Sequence, residues 1–268
     1  MKTSFFKWTL PLSLVLITTT ISVESCKDKK INIFSLDDDI ELGKQVSEEI
    51  AASPQDYPLL DPNKYSDAYA HLQRITDNIL NSGKVQYKDK FVWETHIIND
   101  DSTLNAFCTP GGYIYVYTGL IKYLESEDEL AGVMGHEIAH ADRRHSTTAM
   151  TRQYGLQLLL DIVFGQDKGA LARVAVGLKE LAYGRDAERE ADKYSVIYLY
   201  PTDYDALGAA RFFEKLLANG NSSGPQFLST HPNPENRVEA ITKEWESMGS
   251  KEGQRFVERY QQFKNSLP

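Results

Sequence analysis

The sequence predicts an α+β fold, mostly helical, with one small sheet in a single compact domain. Three observations predict it. Apolar residues recur at helical spacing up to residue 80. Two short segments, 91–98 and 113–117, are rich in β-branched and aromatic residues, which suit strands. Everything after Leu120 reads as helix and loop.

In chain order, Ile40, Leu42, Val46 and Ile50 place an amphipathic helix over residues 36–52. Asp37, Asp38 and Asp39 stand at its start, where the helix dipole favours acids. Pro54, Pro58 and Pro62 make a loop. A second helix runs from Tyr65 to about Leu80 and ends at Asn81-Ser82-Gly83. The Phe91–Ile98 segment alternates as a strand, Asn99-Asp100-Asp101-Ser102 turns the chain, and Pro110-Gly111-Gly112 leads into a second strand, Tyr113–Tyr117. The unusually apolar stretch 154–164 fits a helical hairpin with 170–182, and core packing is its default role over a lid or a membrane or partner contact.

Composition is that of a soluble globular protein, 41% hydrophobic and 25% charged. A formal net charge of -9 excludes a general nucleic-acid binder, which carries a basic face. The N-terminus departs from this average. Lys2 and Lys7 flank a start without acids, and a largely apolar run from Trp8 to Val23, broken by Pro11, follows. That is the layout of a secretory signal, too short and polar for a comfortable span. Val23-Glu24-Ser25-Cys26 resembles a bacterial lipobox, although Glu24 is atypical. The resemblance implies cleavage before Cys26 and lipid on its thiol. The competing reading is a secreted protein cut nearby. The expected organisation is therefore a signal peptide over 1–25, a tether over 26–35 and one domain over 36–268. Cys108, the only other cysteine, reads as a buried thiol. A Cys26–Cys108 disulfide would tie a flexible terminus to the core.

The chemistry-bearing motif is His136-Glu137-Ile138-Ala139-His140. Two His at i and i+4 share one helix face and can share one tetrahedral ion, with Glu137 beside it to take a proton from water. Neutral imidazoles suit zinc, and three protein ligands leave a position open. Leu130, Val133, Met134, Ile138 and Ala139 make the helix apolar, so an unpaired buried His pair there is costly.

A third ligand is expected from Arg185–Asp192. Glu188 and Glu190 lie about 200° apart on a helix and cannot both face the ion. Glu188 and Asp192 share a face; one can bind while the other orients a ligand imidazole, and spacing leaves open which. His145 lies about 140° from His140 and about 180° from His136 on a straight helix, which assigns it a structural or capping role. His71 and His96 have no metal-like spacing. His231, in Ser229-Thr230-His231-Pro232-Asn233-Pro234, sits on a proline-stiffened loop that can aim one imidazole at another element. It can stabilise an oxyanion, occupy the open zinc position, or play no chemical role.

These residues resemble the family forty-eight metallopeptidases, a group with HtpX-type proteases, CAAX prenyl proteases and soluble periplasmic relatives. The likeness rests on the His136–His140 motif followed by Glu188 and Asp192. Asn105-Ala106-Phe107, Pro110-Gly111-Gly112 and Gly119-Leu120 carry it further, as do Ser229-Thr230-His231-Pro232 and Arg237. The resemblance implies Glu188 as zinc ligand, Asp192 behind it and Glu137 as general base. It also implies a gluzincin-type, zincin-like fold with one Zn2+. After residue 23 there is no apolar run long enough to span a membrane, unlike integral members of the group. The Tyr113–Tyr117 strand then acquires an expected role as an edge strand beside the metal. Asn105, Tyr113 and Tyr115 would bind an extended substrate backbone, and Gly111 and Gly112 would allow close approach. The expected protein is a zinc metalloendopeptidase of the cell envelope, lipid-anchored at Cys26, most simply to the outer membrane. It would cleave unfolded or misassembled envelope proteins. The alternative is a chaperone-like lipoprotein with a closed, largely inactive zinc site.

Overall fold

The computed structural model describes residues 32–218, 226–231 and 234–268. The expected signal, Cys26 and the tether up to Ile31 lie outside the described residues. Phe34 and Ser35, expected in the tether, belong to the domain: Phe34 is buried and Ser35 caps the first helix. That helix, α1 (Leu36–Ala51), starts with a reciprocal cap. Asp38 N–H donates to Ser35 Oγ at 3.1 Å, and Ser35 N–H donates to the Asp38 carboxylate at 2.8 Å. Leu42, Val46 and Ile50 form its buried face, as their spacing predicts. The second helix, α2 (Ser66–Leu80), buries Leu72, Ile75 and Ile79.

The sheet has three strands: β1 (Glu94–Ile98), β2 (Ala106–Cys108) and β3 (Tyr113–Tyr117). The predicted first strand loses its start because Trp93 adopts φ 51, which breaks extended backbone. The spatial order is β1-β3-β2, with β3 parallel to β1 and antiparallel to β2. This corrects the expected position of Tyr113–Tyr117, which is the central strand. The edge beyond it is the three-residue β2, too short to show a period.

The remainder is helical. After α3 (Thr118–Tyr123) comes α4 (Glu127–Asp142), in which every residue is buried. A helix buried all round has no polar stripe. Leu130, Val133, Met134 and Ile138 pack into the core, each contributing roughly 1.5–3 kcal/mol. Next are α5 (His145–Tyr154), α6 (Leu156–Val163) and α7 (Lys168–Gly177). The predicted hairpin is the α6–α7 pair, packed on α1 through Leu159, Ile162 and Val174, with Phe164 exposed at its turn. Then follow α8 (Arg185–Leu199), α9 (Gly208–Ala218), α10 (Gln226–Thr230), α11 (Pro234–Ser247) and α12 (Val257–Asn265). The central α4 packs between β2 on one side and α8 and α9 on the other. Gly132 makes the α9 approach possible, since a Cβ there would sit 2.2 Å from the Ala209 nitrogen. No helix of the described residues is long and apolar enough to cross a membrane.

Candidate metal centre

The last two turns of α4 carry His136, Glu137 and His140, and the first turn of α8 carries Glu188. His231 follows α10 directly. His136, His140, Glu188 and His231 are all buried, and their donor atoms lie within 4.8 Å of one another. The two His Nε2 atoms are 2.9 Å apart. Glu188 straddles them, with Oε2 3.5 Å from His136 Nε2 and Oε1 3.5 Å from His140 Nε2. Ligands at roughly 2.0–2.1 Å from a tetrahedral zinc stand about 3.3 Å apart, so this set has the right size and the right N/O chemistry for zinc. His231 joins the cluster: its Nδ1 is 3.0 Å from Glu188 Oε1 and 3.3 Å from His136 Nε2.

The surroundings fix these rings. Asp192, one turn beyond Glu188, places Oδ1 3.0 Å from His136 Nδ1. Arg237 on α11 is buried behind both acids. Its Nε and Nη2 donate to Asp192 at 2.8 and 2.5 Å, and its Nη1 lies 3.0 Å from Glu188. Its guanidinium also sits over the Phe213 ring at 4.1 Å. Aromatic rings enclose the rest. Tyr183 stacks on His140 with centroids 3.7 Å apart, and Phe227 on His231 at 4.4 Å.

Electrostatics follow from burial against partners. For His136, burial and the Arg237 charge oppose protonation, but hydrogen bonds to Asp192 and Glu188 outweigh them and push it up to about 9. The Glu188 carboxyl is opposed by burial, yet His231, His136 and His140 hold it well below its ordinary value. Glu137 goes the other way: burial raises its pKa, with His231 and His136 opposing. Both Glu137 carboxylate oxygens are buried without a hydrogen-bond partner among the described residues. His231 Nε2 lies 3.5 Å from Oε1. An unpaired buried carboxylate is costly unless a ligand meets it.

The sequence model of Peptidase family M48 matches residues 66–245, two thirds of the chain. The chain belongs to peptidase family M48. It is 32% identical over 152 residues to the mitochondrial metalloendopeptidase OMA1 of Arabidopsis thaliana, covering 56% of this chain and 31% of that protein. It is 29% identical over 222 residues to the OMA1 of Schizosaccharomyces pombe, covering 81% and 64%. With the putative beta-barrel assembly-enhancing protease of Vibrio cholerae it shares 29% identity over 202 residues, covering 65% and 42%. The chain thus spans between about a third and two thirds of the length of these relatives. The zincin-like fold and a metalloendopeptidase domain follow from this membership.

Several residues that the sequence places outside the ligand set take other partners. Glu190 faces away from the cluster and pairs with Arg143 at 2.9 Å and His145 at 3.2 Å. His145 is no member of the ligand set, as expected, but the straight helix assumed for it does not exist. The helix ends at Asp142, Arg144 is left-handed at φ 60 and ψ 30, and His145 begins α5 with its Nδ1 3.1 Å from His140 Nδ1. His71 packs against Phe263 and contacts Arg74, and His96 stacks on Tyr115.

The expected substrate-binding set divides. The Tyr113 and Tyr115 backbones lie in the central strand, and the Tyr115 hydroxyl donates to Ser47 at 3.0 Å in the α1 interface. Gly111 abuts Ile40 of α1, and a Gly112 Cβ would meet Phe91 and Trp93. These four residues therefore serve packing. Asn105 is different: its side chain is fully buried and neither amide atom has a partner among the described residues. It precedes β2, an edge strand. Tyr117 N–H donates to Asn105 O and Thr109 N–H to Tyr113 O, so Phe107 also faces β3. By strand alternation, the backbone groups of Ala106 and Cys108 point away from the sheet. Arg237, His145, Tyr183 and Phe227 are the site residues whose contacts the spacing did not reveal.

Proposed function

We propose that this chain is a zinc-dependent endopeptidase of the bacterial cell envelope that hydrolyses peptide bonds in unfolded or misassembled proteins. The observation that carries the reading is the convergence of His136, His140 and Glu188 at ligand spacing, beside a Glu137 carboxylate that has no partner among the described residues. Those three residues would hold one zinc ion, which supplies a Lewis acid for the scissile carbonyl and acidifies a nearby water. Asp192 fixes the His136 ring through Nδ1, and Arg237 holds both Asp192 and Glu188 in place. Glu137 takes one proton from the attacking water and returns it to the leaving amine, so the base is regenerated. Its pKa, raised by burial, suits a group that both accepts and releases a proton.

An extended substrate would pair along the outward edge of β2, where Ala106 and Cys108 backbone groups point away from β3 and the buried Asn105 amide has no partner among the described residues. Backbone pairing gives affinity with little sequence preference, which suits unfolded chains. Its similarity to a putative beta-barrel assembly-enhancing protease and to mitochondrial metalloendopeptidases agrees with a role in protein quality control. The basic start, short apolar run and Cys26 motif support a lipid anchor, facing the periplasm or cell surface. Labelled fatty acid incorporated by the wild type and not by Cys26→Ser tests it.

His231 supports a second reading. In this structure it stands among the ligand atoms, where it can close the site, and a closed site would make a holding protein that cleaves little. Purified protein incubated with unfolded casein, with and without chelator, separates the two. The endopeptidase reading expects chelator-sensitive cleavage that Glu137→Gln abolishes while zinc is retained. Cleavage by that variant at the wild-type rate would sink the mechanism. Cleavage that appears only in His231→Ala would favour the closed site.

A further inference from the structure

The two candidate ligand histidines are held from behind by different devices. Behind His136 stand a buried carboxylate and a buried guanidinium, Asp192 and Arg237. Behind His140 stands a second imidazole. His140 Nδ1 is 3.1 Å from His145 Nδ1, and His145 Nε2 is 3.2 Å from Glu190 Oε2. The other Glu190 oxygen accepts from Arg143 Nε at 2.9 Å. The His145 side chain is 7% exposed and that of Glu190 39%, so this chain of contacts runs from the centre of the site to the surface.

Proton bookkeeping admits one arrangement for a metal-binding His140. Its Nε2 faces His136 and Glu188 and must offer a lone pair, so its proton sits on Nδ1. That N–H donates to His145 Nδ1, which must then be bare. The His145 proton therefore sits on Nε2 and is donated to Glu190. Every group in the row is satisfied once, and reversing any bond places a proton on the metal-facing nitrogen. The backbone provides for this contact at a cost. Arg144 takes the left-handed conformation that arginine seldom adopts, and it turns the His145 ring back onto His140. Asp39 of α1 holds Arg144 there at 2.5 Å.

We propose that His145 is a positioning residue that fixes His140 as an Nε2 ligand, and that Glu190 and Arg143 extend this support to the protein surface. The inference rests on the reading of His136, His140 and Glu188 as a zinc site. A partly exposed glutamate that touches no ligand thereby sets how tightly the site holds its metal.

Zinc affinity measured by competition with a chromophoric chelator tests it. The wild type is measured first, because a wild type that binds no zinc would overturn the site itself. Given binding, His145→Ala should weaken affinity about 10- to 100-fold. His145→Asn, whose Oδ1 can replace the Nδ1 acceptor, should recover most of that loss. Glu190→Ala, at the surface end of the row, should cost on the order of 3-fold and fold normally even if a His145 variant does not. The visible spectrum of the cobalt-substituted protein should shift in His145→Ala and return in His145→Asn. Wild-type zinc affinity in both His145→Ala and Glu190→Ala would overturn the proposal. So would an Asn variant as impaired as Ala, since packing alone would then explain the residue.

Discussion

Replacing Arg237 with Met removes a charge from the centre of the molecule while keeping most of the side-chain length. The structure sets the size of the effect. The Arg237 side chain is 5% exposed, makes two hydrogen bonds to Asp192 and lies 3.0 Å from Glu188. Glu137, Glu188 and Asp192 are three buried carboxylates, and Arg237 with a divalent ion balances them. Without the guanidinium, Asp192 keeps only His136 as a partner among the described residues. Breaking a buried pair by removing one member costs about 3–5 kcal/mol, because the stranded charge stays buried. At a urea slope of roughly 3 kcal/mol per molar, the unfolding midpoint should fall by about 1–2 M. Urea denaturation of zinc-loaded wild type and Arg237→Met, followed by circular dichroism, measures this directly. Arg237→Lys should recover only part, since an ammonium cannot reproduce the two-pronged bond. A loss below about 1 kcal/mol for Arg237→Met would refute the claim that this ion pair braces the site.

Other outcomes follow from the same structure. Gly132→Ala should lower the melting temperature, because its Cβ would lie 2.2 Å from the Ala209 backbone nitrogen; overpacking of this kind costs typically 1–3 kcal/mol, and an unchanged melt would contradict the α4–α9 contact. Glu127 is opposed by burial, but hydrogen bonds from Arg74, Arg259 and Tyr204 outweigh it and hold its carboxyl below the ordinary 4.5. A depressed folded pKa contributes stability above the unfolded value and loses it as pH falls through the folded one. Glu127→Gln should therefore be less stable than wild type at pH 7, with the gap closing below 4.5, and a constant gap across that range would count against the assignment. Asn105→Ala should raise KM for unfolded casein more than it lowers kcat, as steady-state kinetics would show. A pure kcat effect would remove Asn105 from substrate binding.

Much of the site was legible because its chemistry is written in helical spacing. His136 and His140 at i and i+4, and Glu188 and Asp192 at i and i+4, need only the period of a helix to be brought face to face. The first two helices were legible from apolar stripes and the acidic start of α1. Other features left no such trace. β2 is three residues long, so nothing marked it as the edge, and β3 took that role by default although β1 and β2 flank it. No glycine or proline announces the break between α4 and α5. It occurs at Arg144, where a tertiary bond to Asp39 overrides backbone preference, so His145 could not be placed from sequence. Arg237 lies far along the chain from the carboxylates it serves, and pairing over such separations is a property of the packed α8–α11 interface, not of local pattern.

On the proposed function, one zinc ion held by His136, His140 and Glu188 makes this chain a peptidase. Titration of the metal-free protein with zinc, while cleavage of a fluorescent unfolded casein is followed, tests it most directly. Activity should rise in proportion to added zinc and break at one equivalent per chain, and the Glu137→Gln variant should bind the same equivalent without activity. Cleavage that is full before zinc is added, or zinc binding that brings no cleavage in either the wild type or His231→Ala, would contradict it.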